Sequence, residues 1–272
     1  MRCLSLPLSC TVEQLYICLY KRGIPTVILD SGWEPRPDGR YPLSRRCIIA
    51  SEPFAILKAR GANAMLEWAD GRCDIGTPFE LLRTVMDTFS LPSDDAPTPF
   101  PAGAVGYFGY ELKSILEPVE SNLPADINMP DLWLALFDTA ITVDLSEQMV
   151  HITSTGLPER GRARERRATE RAEQLLDKIS AVPQHSSFIP FADTTSESMK
   201  VHVSSNFSHT AYLDAVRRVK DYISAGDIYQ ANLSQRFKMS FRGDPFTLFL
   251  HLRQRSPAPF AAFIDGVKFH II

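Results

Sequence analysis

The sequence predicts an α+β protein, with antiparallel β-strands and flanking helices. Three observations carry this. Short β-branched and apolar runs such as Thr26 to Leu29 and Cys47 to Ala50 have strand length, and the first is closed by the turn residues Asp30, Ser31 and Gly32. Asp138 to Asp144 and Met149 to Thr153 are two further runs, joined hairpin-fashion by Leu145 to Gln148. Two longer segments, Pro158 to Ile179 and Ser208 to Ala225, carry helical periodicity instead.

In chain order, Thr11 is positioned to cap a short helix running to Tyr20, with Val12, Leu15, Tyr16 and Leu19 on one face and Gly23 as its stop. The strand Thr26 to Leu29 follows. Glu34 to Gly39 holds two prolines and a glycine and reads as a loop. Cys47 to Ala50 and Ala55 to Ala59 are the next strands, and the Gly-rich segment Ala102 to Tyr110 adds β character. Pro158 to Ile179 is dense in Arg and Glu, with Ala172, Leu175, Leu176 and Ile179 forming a thin apolar stripe. It reads as a solvated helix packed along its C-terminal half. Val182 to Ser208 is rich in Ser and Thr and marks a boundary. Ser208 then caps an amphipathic helix through Tyr212, Val216, Val219 and Ile223, and Gly226 supplies its left-handed stop.

Composition narrows the function classes. The 272 residues carry a formal net charge of -3, so no broad field favours nucleic acid or an anionic membrane surface. The arginines between Arg160 and Arg167 are interleaved with glutamates, which argues against an RNA contact. No run approaches the roughly 20 apolar residues of a spanning helix. Met1 to Cys18 is moderately apolar, but Thr11, Glu13 and Gln14 interrupt it, which argues against a signal peptide. The five cysteines (Cys3, Cys10, Cys18, Cys47 and Cys73) are odd in number and irregularly spaced, which points to reduced thiols in a cytoplasm.

From Asp227 the periodicity changes to two. Tyr229, Ala231, Leu233, Phe237 and Met239 alternate with Gln230, Asn232, Ser234, Arg236 and Lys238, which predicts a strand over 229–238. Its polar row, spaced roughly 6–7 Å along one face, has two readings. It is an exposed sheet face, or it holds a dicarboxylate by charge-assisted hydrogen bonds.

The segment Ala225-Gly-Asp-Ile-Tyr-Gln-Ala-Asn-Leu-Ser-Gln-Arg-Phe237 resembles the helix-to-strand motif of the chorismate-utilising enzymes, which include the large subunits of anthranilate synthase and aminodeoxychorismate synthase. Four further segments agree in order: Thr26 to Gly32, Ser51 to Phe54, Phe100 to Leu112 and Ser256 to Asp265. Asn232 and Pro259-Phe-Ala-Ala-Phe263 resemble the aminodeoxychorismate branch (component I), against which anthranilate synthase remains the alternative. The resemblance implies antiparallel β-sheets packed as a sandwich with flanking helices. Residues 1–155 would form a β-rich N-terminal domain, 156–207 a charged helix and linker, and 208–272 the beginning of a chorismate-binding domain whose C-terminal part is missing.

The resemblance also implies chemistry. The family enzyme binds chorismate and Mg2+, takes ammonia from a glutamine amidotransferase partner, and in the aminodeoxychorismate branch replaces the C4 hydroxyl through a covalent lysine adduct. The family's Pro-Ile-Lys-Gly-Thr motif and its magnesium-binding glutamate segments find no match here, so no catalytic residue or metal ligand is assigned. The expectation is a truncated chain, inactive alone; a non-catalytic tryptophan- or partner-binding module is the other reading. Gln230 and Asn232 are the substrate-side candidates. A tryptophan pocket is carried over to Ser31, which would hold the ligand's amino group. Leu43, Ser44, Arg45 and Arg46 would form one wall, and Pro259, Phe260 and Ala261 another. Without a ligand role, Ser31 is a turn residue and Phe260 a core aromatic. Arg45 and Arg46 depart from the small or aromatic residues expected there.

Overall fold

The structure, a computed structural model, describes residues 1–31, 45–91, 98–119, 127–182 and 202–272. The chain divides into two compact units, Met1–Phe188 with Pro245–Ile272, and Ile189–Asp244. The sequence places its boundary at 207/208, but Pro245–Ile272 returns to the first unit. The physical reason lies in two strands near the C-terminus, which complete a sheet begun by the N-terminal residues.

In the first unit the elements follow in order: β1 (Arg2–Pro7), α1 (Val12–Leu19), β2 (Thr26–Asp30), β3 (Arg46–Ser51), β4 (Ala55–Arg60), β5 (Asn63–Trp68), β6 (Cys73–Gly76), α2 (Pro78–Thr88), β7 (Gly103–Phe108), α3 (Lys113–Leu116), β8 (Leu132–Phe137), β9 (Thr139–Asp144), β10 (Met149–Ser154) and α4 (Gly161–Ser180). The second unit holds β11 (Ser204–Ser205), α5 (His209–Ala225) and β12 (Phe237–Lys238); α6 (Pro245–Arg255), β13 (Ala261–Asp265) and β14 (His270–Ile271) belong to the first.

Seven strands form one sheet in the order β1-β10-β9-β3-β2-β13-β14, and five form another in the order β6-β5-β4-β8-β7. Every pairing is antiparallel. The two sheets pack face to face through Val27, Ala50 and Ile264 on one side and Trp133, Ala135 and Phe137 on the other. The outer face of the seven-stranded sheet, with Ile28, Ile49, Ile141, Val143, Ile152 and Phe263, is covered by apolar residues of α1, α4 and α6. The outer face of the other sheet, with Leu57, Leu66, Leu132 and Leu134, packs with Val85, Leu81 and Leu82 of α2. The unit is thus a sandwich with helices on both outer faces.

β8 explains this arrangement at sequence level. Its six residues are buried throughout, with Leu132, Leu134 and Leu136 facing one core and Trp133, Ala135 and Phe137 the other. A strand buried on both faces reads as a continuous apolar run rather than an alternating one. Each such large side chain contributes about 1.5–3 kcal/mol of burial. The neighbouring β7 crosses β8 so closely that a Cβ at Gly106 would stand 1.9 Å from the Trp133 carbonyl oxygen, which explains one glycine of the Gly-rich segment.

The predicted hairpin forms as β9 and β10, and the capped helices form as α1 and α5. Thr11 and Gln14 complete a capping box. Ser208 accepts from the Ala211 amide, and Gly226 closes α5 at φ 81°. The strand predicted over 229–238 does not form at that length. Only Phe237–Lys238 pairs, with Ser205 and Ser204. An extended segment becomes a strand only where a neighbour takes up its backbone groups. Among the described residues only this short pairing is present.

Candidate ligand site at the end of strand β2

β2 begins as an apolar strand and ends on a charge. Asp30 is buried, with its side chain 0% exposed. An isolated buried carboxylate is costly, so it needs partners. Arg253, reaching in from α6, donates through Nε to Asp30 and through Nη1 to Glu13 in the first turn of α1. The Cys47 thiol donates to the other Asp30 oxygen at 3.1 Å. The Arg253 guanidinium also lies 5.9 Å from the Tyr16 ring centroid. Burial opposes its charge, but the carboxylates of Asp30 and Glu13 outweigh that and hold Arg253 above the ordinary guanidinium range. Burial and the neighbouring Asp30 charge push the Cys47 thiol up to about 12, so it stays protonated and inert.

Ser31 follows immediately and is buried. Its amide and its hydroxyl both donate to the Arg46 carbonyl, at 3.3 and 2.6 Å. A hydroxyl has one donor and two lone pairs. With the donor committed, the Ser31 Oγ is left as an acceptor, a chemistry that suits an ammonium group.

Arg45 and Arg46 both turn to Asp144 at the end of β9, with Nε to Oδ2 distances of 3.3 and 3.2 Å. The other Asp144 oxygen accepts from the Ser146 hydroxyl at 2.5 Å and from the Ser146 and Glu147 amides. The two arginine heads therefore brace a hairpin end. Leu43 and Ser44 lie outside the described residues. Pro259 and Phe260 lead into β13, which starts at Ala261 opposite Asp30. Phe260 is 80% exposed, so it is not the core aromatic of the alternative reading. The structure thus brings Ser31, the Arg46 backbone and Pro259–Ala261 to one end of three neighbouring strands.

Gln230 and Asn232 belong to the second unit. Both are exposed, in a segment without regular structure. Nearby, Arg236 and Asn206 exchange hydrogen bonds, and Gln235 donates to the Ser205 hydroxyl at 2.8 Å. Among the described residues no group of three or more His, Cys, Asp or Glu is arranged to hold a metal ion. Nor is any described helix long and apolar enough to cross a membrane.

Sequence reasoning did not single out Glu13, Asp30 or Arg253 as a cluster. The signal that was present is Asp30 itself, a carboxylate ending an apolar strand. Its partner lies 223 positions away and carries no local mark.

A sandwich of two antiparallel sheets, with a helix-to-strand segment bearing Tyr229-Gln-Ala-Asn-Leu-Ser-Gln235, defines a class of enzyme domain, and comparison with known proteins names it. Residues 39–272 match the family model of the chorismate binding enzymes, and the chain belongs to that family. It is 30% identical over 240 residues to aminodeoxychorismate synthase component 1 of Escherichia coli, which covers 88% of this chain and 47% of that protein. It is also 30% identical over 275 residues to anthranilate synthase component 1 of Cereibacter sphaeroides, covering 96% and 52%. The crystal structure of anthranilate synthase component I from Streptococcus pneumoniae superposes with a TM-score of 0.66 at 22% identity, covering 84% of this chain and 49% of that one. The fold is therefore that of the chorismate-utilising enzymes. The chain spans about half the length of the curated relatives it matches.

Proposed function

We propose that this chain serves in the large subunit of an aminodeoxychorismate synthase, aminating chorismate with glutamine-derived ammonia to 4-amino-4-deoxychorismate for 4-aminobenzoate and folate synthesis. Asn232, within Tyr-Gln-Ala-Asn-Leu-Ser-Gln, carries this choice of branch over anthranilate synthase. In this reading the nucleophile and metal ligands of the step come from the family's Pro-Ile-Lys-Gly-Thr and glutamate-bearing segments, which find no match in this sequence. Its contribution is the sandwich and the substrate-side segment with Gln230 and Asn232. A glutamine amidotransferase would deliver the ammonia. Magnesium, in this reading, is held by residues other than those described. The free cysteines suit a reducing compartment, and we assign the protein to the cytoplasm.

The test is an activity assay. A protein that joins this chain to a segment bearing Pro-Ile-Lys-Gly-Thr is expected to convert chorismate and ammonia to 4-amino-4-deoxychorismate, while residues 1–272 alone give no turnover. Anthranilate as the product would overturn the branch. Turnover by residues 1–272 would overturn the assignment of the chemistry elsewhere.

A second reading concerns ligand control. The Ser31 hydroxyl, its donor committed to the Arg46 carbonyl, favours an ammonium beside it. We assign this end of the sheet to tryptophan, with Ser31 on the amino group and Pro259–Ala261 on the indole side. Calorimetry with L-tryptophan tests it, and no heat at millimolar ligand rejects it.

A further inference from the structure

Two strands meet at the candidate ligand site, and one side chain bridges the elements around it. β2 ends at Asp30, the residue before Ser31, and β13 starts at Ala261, paired with Asp30. Between α6 and β13 lies the turn that carries Pro259 and Phe260. Arg253 near the end of α6 spans Asp30 and Glu13, and its side chain is only 11% exposed. A single guanidinium thereby joins the helix that delivers Pro259–Ala261, the strand end that delivers Ser31, and the start of α1. The Cys47 thiol on β3 fixes the second Asp30 oxygen, so the carboxylate has little freedom to turn.

We propose that Arg253 is a positioning residue for amino-acid recognition at Ser31. Its pair with Asp30 sets the backbone at Ser31 so that the hydroxyl donates to Arg46 and presents its lone pairs to the ligand's ammonium. The same pair sets the distance between Ser31 and the Pro259–Ala261 turn. Arg253 touches no ligand in this scheme; it acts through Ser31. The inference rests on the tryptophan reading of this pocket. A buried ion triad is weak evidence for stability, because an apolar group of similar volume is often as stable. What the triad supplies that an apolar group does not is direction: a planar fork reaches two carboxylates on different elements at fixed angles.

The experiment uses L-tryptophan calorimetry and thermal unfolding on the full 272-residue chain, with Arg253→Met, Arg253→Lys, Ser31→Ala and the Arg253→Met/Ser31→Ala pair. Arg253→Met is expected to raise the tryptophan Kd at least tenfold while unfolding stays cooperative. Arg253→Lys is expected to recover part of the loss, since an ammonium keeps the charge but lacks the two-pronged reach. In the Ser31→Ala background the same Arg253→Met change is expected to alter Kd less than threefold. An equal loss in both backgrounds overturns the proposal, because Arg253 then does not act through Ser31. If Arg253→Met fails to fold, Arg253→Lys decides by the same comparison. No heat from the unsubstituted chain rejects the pocket reading; amide exchange at residues 30–31 and 259–262 then judges the positioning claim. Tenfold faster exchange in Arg253→Lys supports it, and unchanged exchange overturns it.

Discussion

Arg171 of α4 donates to Glu52 at 2.5 Å, and its other terminal nitrogen stands 3.7 Å from Asp138. These two acids occupy equivalent places. Glu52, at φ 57°, lies where the chain passes from β3 in the seven-stranded sheet to β4 in the five-stranded one. Asp138 is the single residue between β8 and β9, where the chain passes back. Arg167 adds a contact to Asp138 at 2.9 Å, and Lys178 one to Glu52 at 3.6 Å. One helix face thus secures both points at which the sheets exchange strands.

Removing the carboxylate at Asp138 leaves two arginines facing a buried site. Asp138→Ala is expected to lower unfolding stability by about 3–5 kcal/mol, the range for breaking a buried ion pair. Arg171→Met is expected to cost less, about 1–3 kcal/mol, because Arg167 still serves Asp138 and Glu52 is partly exposed. Urea denaturation measures both. A loss under about 0.5 kcal/mol for Asp138→Ala would show that the corner holds without its acid.

The pH dependence should carry the mark of Asp144. Burial pushes its carboxyl up, but the Ser146 hydroxyl, the Glu147 amide and the guanidinium groups of Arg46 and Arg45 outweigh this and hold it at about 2. The folded value lies below the ordinary carboxylate range near 4. Its contribution is therefore complete above about pH 4 and is lost as pH falls through 2. Asp144→Asn is expected to flatten the stability profile between pH 4 and pH 2 relative to the unsubstituted chain, as read by denaturation midpoints. Parallel profiles would remove Asp144 from the acid transition.

The short apolar, β-branched runs and turn residues made β2, β3, β4 and the β9–β10 hairpin legible in advance, and the caps at Thr11 and Ser208 marked α1 and α5. Local signals of that kind do not reach across sheets. Asp138 looked like the first residue of a strand; only the sandwich makes it a corner. The arginines of α4 looked like a solvated face, yet Arg167 and Arg171 are drawn inward by acids 29 and 119 positions away. Period two at 229–238 was real in the sequence, but strand formation needs a partner as well as a pattern. At the candidate pocket, Ser31 was reachable through resemblance, whereas Arg253 became visible only once α6 was seen to lie over β2.

Cysteine reactivity separates the buried thiol from the surface ones. Cys47 is buried and its thiol is pushed up to about 12. Cys18 and Cys73 are exposed. The thiolate is the reactive form, so burial and a raised pKa both protect Cys47. Native-state alkylation at pH 8, followed by peptide mapping, is expected to mark Cys73 and, more slowly, Cys18, whose thiol is raised by partial burial despite Lys178. Cys47 is expected to react only after denaturation. Native labelling of Cys47 at the rate of Cys73 would mean that β3 opens far more readily than its packing implies.

α5 offers the sharpest contrast in local stability. None of its seventeen residues is buried, and Leu213, Tyr222 and Ile223 stand exposed. In the same unit Tyr229, Phe237, Met239 and Phe241 are exposed as well. The amphipathic pattern is present, but its apolar stripe is only partly covered: Tyr212, Val216 and Val219 are half-buried, with Phe207 against Tyr212, and Ile223 is exposed. Helices gain most of their stability from packing such a stripe, and short ones are marginal without it. β8 lies at the opposite extreme, buried over its whole length. Amide exchange in α5 is expected to run at least a hundredfold faster than in β8, following local opening rather than global unfolding. A dye that binds exposed apolar surface is expected to report this unit, with its signal reduced when Ile223 and Leu213 are changed to Gln together. Equal protection of α5 and β8 would refute the idea that this stripe is open.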